Sequence, residues 1–190
     1  MNTNNEPELD ENNSGSKTKI TLKNITKSFS GITVLNDINL EFTSGEIHGL
    51  VGQNGAGKST LGKIIGGHYK LSSGKIFLND NLIKKWSSKI ALDNGIAMIH
   101  QELALVPGMT VYDNIFLGIE ENYYGIIGKQ NTKLFNDLDQ KIGFNLDPNQ
   151  KVSSLRIADQ QKVEIIRALA RNAKVIIMDE PTSSLTNDEV

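Results

Sequence analysis

Cysteine is absent from the 190 residues. No disulfide, thiol nucleophile or cysteine-bound zinc can therefore be built from this chain, which is compatible with a reducing compartment. An excess of one charge is also lacking, with 20 Lys and Arg against 22 Asp and Glu and a sequence pI of about 5.9. That balance argues against a broad basic footprint for nucleic acid. No apolar run approaches the roughly 20 residues needed to span a bilayer. The start, Met1 to Ser16, is rich in Asn, Glu and Ser. It has neither the basic opening nor the apolar centre of a secretion signal, and residues 1–18 read as a disordered leader. The histidines His48, His68 and His100 lack metal-ligand spacing. Lys84-Lys85-Trp86 reads as a solvated turn. No internal repeat stands out. The remaining composition, 38% hydrophobic and 22% charged, is that of one ordinary globular domain over residues 19–190.

What is present is concentrated in Gly52-Gln53-Asn54-Gly55-Ala56-Gly57-Lys58-Ser59-Thr60. The pattern G-x-x-x-x-G-K-[ST] is a phosphate-binding P-loop. Its glycines let the backbone curl so that successive N–H groups face an anion, and a following helix adds a positive end at the same place. The apolar Ile47, Gly49, Leu50 and Val51 predict a strand before the loop, and Ser59 to Ile65 predict a helix after it. Lys58 is placed for the outer phosphates, and the Ser59 hydroxyl for Mg²⁺. A P-loop alone specifies only a nucleoside triphosphate. Further along, Val175-Ile176-Ile177-Met178 ends in Asp179-Glu180. Four apolar residues delivering acids to a strand end predict a buried parallel strand at a site. Asp179 would hold Mg²⁺, and Glu180 would orient or deprotonate the attacking water.

With a Gln101 segment, the run Leu155 to Ala170 and the Asp179-Glu180-Pro181-Thr182 segment, these motifs occur in the order seen in ABC-type ATPases. The chain resembles the ATP-binding subunits of sugar importers of the ribose and galactose kind over Ile20 to Leu61, Gly95 to Gly118 and Val152 to Thr186. The resemblance implies an α/β P-loop NTPase fold: a RecA-like parallel sheet core, an antiparallel β-subdomain and a helical subdomain at about 102–160. It implies ATP and Mg²⁺ as cofactors, and hydrolysis coupled to transport. It implies permease transmembrane subunits and a second ATP-binding module as partners, with an extracytoplasmic sugar-binding protein acting indirectly and no nucleic acid. The expected location is cytoplasmic, peripheral on the membrane's inner face. Phe29 falls where the family stacks an aromatic on adenine, and Val34 would line the same side. From the residues alone Phe29 is equally a packed or edge aromatic. Gln101 matches the family's glutamine loop, which touches Mg²⁺ or the attacking water.

One family motif departs from its pattern. Where the family carries Leu-Ser-Gly-Gly-Gln, this chain has Leu155-Arg156-Ile157-Ala158-Asp159. In the family this loop faces the γ-phosphate of the opposite module. The departure therefore bears on the partner's site and leaves Gly52 to Thr60 with Glu180 as the expected competent half-site. A plain helix start with Asp159 near its first turn stays open as the alternative. Strands are expected at residues 19–27, 34–42, 75–78, 96–99 and 175–178, with a turn at Ser30-Gly31. Helices are expected at Val111 to Leu117 and Asn131 to Ile142, the latter with Leu134, Leu138 and Ile142 on its buried stripe. No residue fills the family's switch histidine, so a fragment or a truncated product is expected. Two other readings stand beside the transport one: a soluble ABC ATPase acting on ribosomes or DNA, and a non-catalytic nucleotide-binding regulator.

Overall fold

A computed structural model of the chain describes residues 18–119, 122–123, 126–127 and 132–179. The leader before Thr18, Glu180 and the Pro181 to Thr186 segment lie outside the described residues.

The first unit is an antiparallel sheet. Strands β1 (Lys19–Phe29) and β2 (Ile32–Thr43) form a hairpin closed by Ser30 and Gly31, both at positive φ, as a two-residue hairpin turn requires. With β3 (Ser73–Leu78) and β4 (Asn81–Leu82) the sheet order is β2-β1-β3-β4. In β1 the buried residues are Ile20, Leu22 and then Ile25, a step of three in a period-two strand. The register shifts between Leu22 and Ile25, where Asn24 takes a positive φ and its amide donates to Asp37 Oδ1 at 2.6 Å. This irregularity returns the inward face to Ile25.

Helix α1 (Lys58–Ile65) lies under that sheet, and Leu61, Ile64 and Ile65 join Ile20, Leu22, Ile25 and Ile76 in the first core. The Trp86 indole N–H donates to the carbonyls of Ile64 and Ile65 at 2.9 and 3.1 Å. It thereby gives the Ile65 carbonyl a donor at the helix end and adds a second to that of Ile64, which also accepts from Gly67 N–H at 3.0 Å, so the Lys84-Lys85-Trp86 segment is more than a solvated turn. After α2 (Ser88–Asp93), strand β5 (Ile96–Ile99) pairs in parallel with β8 (Val175–Met178), Ile96 opposite Val175 and Ile99 opposite Met178. A parallel pair needs a long crossover. Here it consists of α3 (Val111–Phe116), a short ladder of β6 (Asn122–Tyr123) with β7 (Ile126–Ile127), α4 (Thr132–Ile142), a 3₁₀ turn at Val152–Ser154 and α5 (Ile157–Ala170). Val111, Ile115, Phe135, Val163 and Ile166 form a second core within it.

Two local expectations are corrected. Residues 47–51 form no strand, and Ile47 and Val51 are essentially fully exposed. A strand needs a partner edge for its N–H and C=O groups, and this segment faces a cavity instead. In α4 the buried residue is Phe135 while Leu134 is exposed; Leu138 and Ile142 pack partly. The apolar stripe is therefore 135, 138, 142, which is the i, i+3, i+7 face. Among the described residues no helix is long and apolar enough to cross a membrane.

Candidate functional site

The loop Gly52 to Thr60 is held by its own backbone. Ala56 N–H donates to Gln53 C=O at 3.1 Å, and Leu61 N–H to Gly57 C=O at 2.8 Å, the first bond of α1. Gly57 is required twice over. Its φ is +89°, and a Cβ there would lie 2.6 Å from Leu35 Cδ2 and 3.2 Å from the Val34 carbonyl. Val34 thus abuts the loop directly. No side chain caps the start of α1 and its first turn holds no acid, so its N–H groups and dipole favour an anion. The Lys58 ammonium donates to the carbonyls of Gly52 and Gln53 at 2.8 and 2.9 Å. Two of its three donors fix it across the loop mouth, and the third, with the charge, is left for a phosphate. Gln53, Asn54 and Ala56 are exposed on the loop surface; Ser59 and Thr60 are half-buried in the first turn of α1.

Lys58 and Ser59 line a cavity of about 460 Å³ together with Lys174 to Asp179. Asp179 extends β8 by one step, its N–H donating to Ile99 C=O at 3.2 Å. It also lines a second, small cavity with His100, Gln101 and Gln161. Met178 and Asp179 line both cavities, and Asp179 is the one of the two that brings a charge to the loop side and the Gln101 side. Ser59, Gln101 and Asp179 offer a hydroxyl, an amide and a carboxylate, the hard oxygen donors that a small divalent cation takes. Among the described residues no group of three or more His, Cys, Asp or Glu could hold a metal alone. A cation here would draw part of its shell from phosphate oxygens, as magnesium does. Glu180 is outside the described residues, so its place in the site is not described.

The segment after Gln101 is tied down by residues that sequence reasoning passed over. Ala104 N–H donates to Glu164 Oε1 at 3.0 Å, Arg167 Nη1 donates to Ala104 C=O at 2.9 Å, and Glu164 and Arg167 are 3.6 Å apart. Asn114, 1% exposed, accepts from Val106 N–H and donates to the carbonyls of Val106 and Thr110. Two charges three apart on the apolar face of α5 are the signal that could have found the first pair. Behind Gln101 the rings of His68 and His100 meet edge-on at 4.7 Å. Burial, then His100 and Lys63, pushes His68 below its usual value.

Phe29 sits at the β1–β2 turn, opposite Ile32 in register and 39% exposed. At the start of α5, Arg156 is the N-cap without a side-chain bond, Ile157 is exposed, and Asp159 pairs with Lys162 at 2.7 Å. A family model described as ABC transporter matches residues 35–183. This chain belongs to the ABC transporter family.

The likeness extends to individual relatives and solved structures. The chain is 46% identical over 167 residues to the arabinose import ATP-binding protein AraG of Paraburkholderia xenovorans, covering 87% of this chain and 32% of that one. It is 47% identical over 169 residues to a putative ribose/galactose/methyl galactoside import ATP-binding protein of Geobacillus kaustophilus, covering 87% and 34%. The chain thus spans about a third of the length of these relatives. Among structures, a nucleotide-free ATP-binding cassette from an ABC transporter matches with a TM-score of 0.77 at 24% identity, covering 90% of this chain and 72% of that one. A dimeric cassette in a post-hydrolysis state with ADP and Pi matches with a TM-score of 0.72 at 28% identity, covering 90% and 77%. The ABC ATPase fold that the family resemblance implies is the fold observed.

Proposed function

We propose that this chain is the nucleotide-binding module of an ABC importer for simple sugars, binding Mg-ATP at Gly52 to Thr60. One observation carries the reading: Lys58, Ser59 and Asp179 line one cavity, and Asp179 lines a second with Gln101. That arrangement has a cation for phosphate, an oxygen set for a metal and an amide beside it. The sugar class rests on relatives named for import of arabinose, ribose and galactose.

The chain's own residues divide the work. The loop N–H groups and Lys58 bind and orient the β- and γ-phosphates. Ser59, Asp179 and Gln101 would hold Mg²⁺, which when bound neutralises charge on the phosphate oxygens. Phe29 and Val34 would contact the base. Glu180 is the proposed general base for water. A second module would supply a regular signature loop over this site, because the loop here carries Arg156 and Ile157 in place of Ser and Gly. Opening and closing of the two modules would drive permease subunits at the membrane, with the helices between residues 102 and 160 as their contact and this module peripheral on the inner face.

Titration calorimetry tests the site. Wild-type chain is expected to bind Mg-ATP, and Lys58→Ala to weaken it at least tenfold, because a charge-assisted contact to phosphate is lost. Equal affinity in the two would place the nucleotide elsewhere. Co-purification with a permease separates the transport reading from a soluble ABC ATPase.

A further inference from the structure

The residues that hold Phe29 come from the helix that the P-loop starts. Tyr69 follows α1, its N–H donating to Lys63 C=O at 3.1 Å. Its ring meets Phe29 at a centroid distance of 5.4 Å and an interplanar angle of 75°. The loop that carries Tyr69 is laced to β1: Ser72 N–H donates to Thr26 C=O at 3.0 Å, and Ser28 N–H to Ser72 Oγ at 2.9 Å. Lys27, two residues before Phe29 and so on the same face of the strand, lies 4.5 Å from the Phe29 centroid and 5.9 Å from that of Tyr69. Lys63 lies 5.7 Å from the Tyr69 centroid.

These separations place two neighbours around Phe29, which is 39% exposed. The centres of Phe29 and Tyr69 are 5.4 Å apart, and the Lys27 ammonium lies 4.5 Å from the first and 5.9 Å from the second, so Tyr69 and Lys27 stand in well separated directions from the Phe29 ring. Lys27 stands over one face of the Phe29 ring, so Tyr69 must approach near its rim. Neither lies over the opposite face. An exposed phenylalanine at a hairpin tip would otherwise turn among several rotamers. A rim contact from one aromatic and a cation on one face select an orientation and leave a single face for stacking.

We propose that Tyr69 is a positioning residue for nucleotide binding: it fixes the Phe29 ring, backed by Lys27, as a one-faced platform for the nucleobase. The inference rests on the reading of Phe29 as the base contact. It adds a link from the P-loop helix to the base, since α1 and Tyr69 are continuous in the chain. Stacking on a π-face tolerates any base. Tyr69 should therefore matter for every nucleoside triphosphate and not for the phosphate chain alone.

The test compares Mg-ATP with inorganic triphosphate, which has no base, in calorimetric titrations of the 190-residue chain. Phe29→Leu is expected to weaken Mg-ATP about five- to a hundredfold by removing the stack and to leave triphosphate unchanged. Tyr69→Leu is expected to weaken Mg-ATP about two- to tenfold, the scale of one aromatic contact, with triphosphate again unchanged. Tyr69→Phe keeps the ring and should bind like wild type. If Tyr69→Leu matches wild type for Mg-ATP while Phe29→Leu does not, the positioning role is wrong and the base platform survives. Equal weakening of Mg-ATP and triphosphate in Tyr69→Leu would show a general effect on α1 and overturn the proposal. The same holds if Tyr69→Phe loses as much as Tyr69→Leu. Unchanged Mg-ATP binding in Phe29→Leu would remove the reading of Phe29 itself.

Discussion

At the scale of single residues the site depends on backbone shape before charge. Gly57 takes a left-handed φ of +89° and lies against β2. Gly57→Ala must accept both the strain of that region and the approach to Leu35, and should destabilise the chain by about 1–3 kcal/mol. Urea unfolding checks this, and a change within 0.5 kcal/mol would mean that the loop relaxes freely. His68 makes a pH-dependent contribution. Burial, His100 and Lys63 hold its imidazole below the ordinary 6.5, so the unfolded chain takes up the proton first as the pH falls. Its contribution is intact above 6.5 and is lost progressively as the pH drops from there through the lower, folded value. The fall in urea midpoint between about pH 7.5 and pH 5.5 should be smaller in His68→Gln than in wild type. An identical fall in both would assign the dependence to other groups.

At the scale of elements, α5 and the segment after Gln101 behave as one piece. Glu164 and Arg167 hold the two backbone groups of Ala104 from one face of the helix. Glu164→Ala should cost about 1–3 kcal/mol, since a mostly buried charged acceptor leaves its donor and Arg167 behind. A double-mutant cycle with Arg167→Ala should return a coupling of about 0.5 kcal/mol or more; simple additivity would show that the two grip Ala104 independently. Much of this architecture is legible in the sequence. β5 and β8 fall on the expected apolar runs, because a strand buried in a parallel sheet is apolar throughout. The P-loop is legible because its glycines and lysine are set by local chemistry. The Ala104 clamp, the Asn114 network and the Tyr69 contact are not, because each joins residues far apart in the chain or uses a polar side chain whose partner is backbone. Residues 47–51 depart from the expected strand for the same reason: apolar residues signal a strand, but only a neighbour's edge makes one.

At the scale of the whole molecule, that edge decides how the chain behaves in solution. Among the described residues β8 pairs on one side only, with β5. Among the described residues the segment 47–51 also pairs with no strand, and His48, Gly49 and Leu50 line the cavity of about 460 Å³ together with β8. Ile47 at 102% and Val51 at 98% exposure bracket these residues in the chain. Unpaired backbone beside exposed β-branched side chains is a template for another chain. The 190-residue chain is expected to self-associate with rising concentration in sedimentation velocity. Combining Ile47→Lys with Val51→Lys should return it to the monomer. The pair should change folding stability by no more than about 0.5 kcal/mol each, since neither side chain contributes burial. Lys58 and Ser59 are untouched by the substitutions, so Mg-ATP binding should persist in the monomeric variant. If association continues unchanged in the variant, the sticky surface lies elsewhere, with the exposed Ile32 of the hairpin tip the next to test. If association stops and nucleotide binding stops with it, residues 47–51 hold the loop in shape through contacts with a second copy, and the phosphate site is completed only in the assembled state.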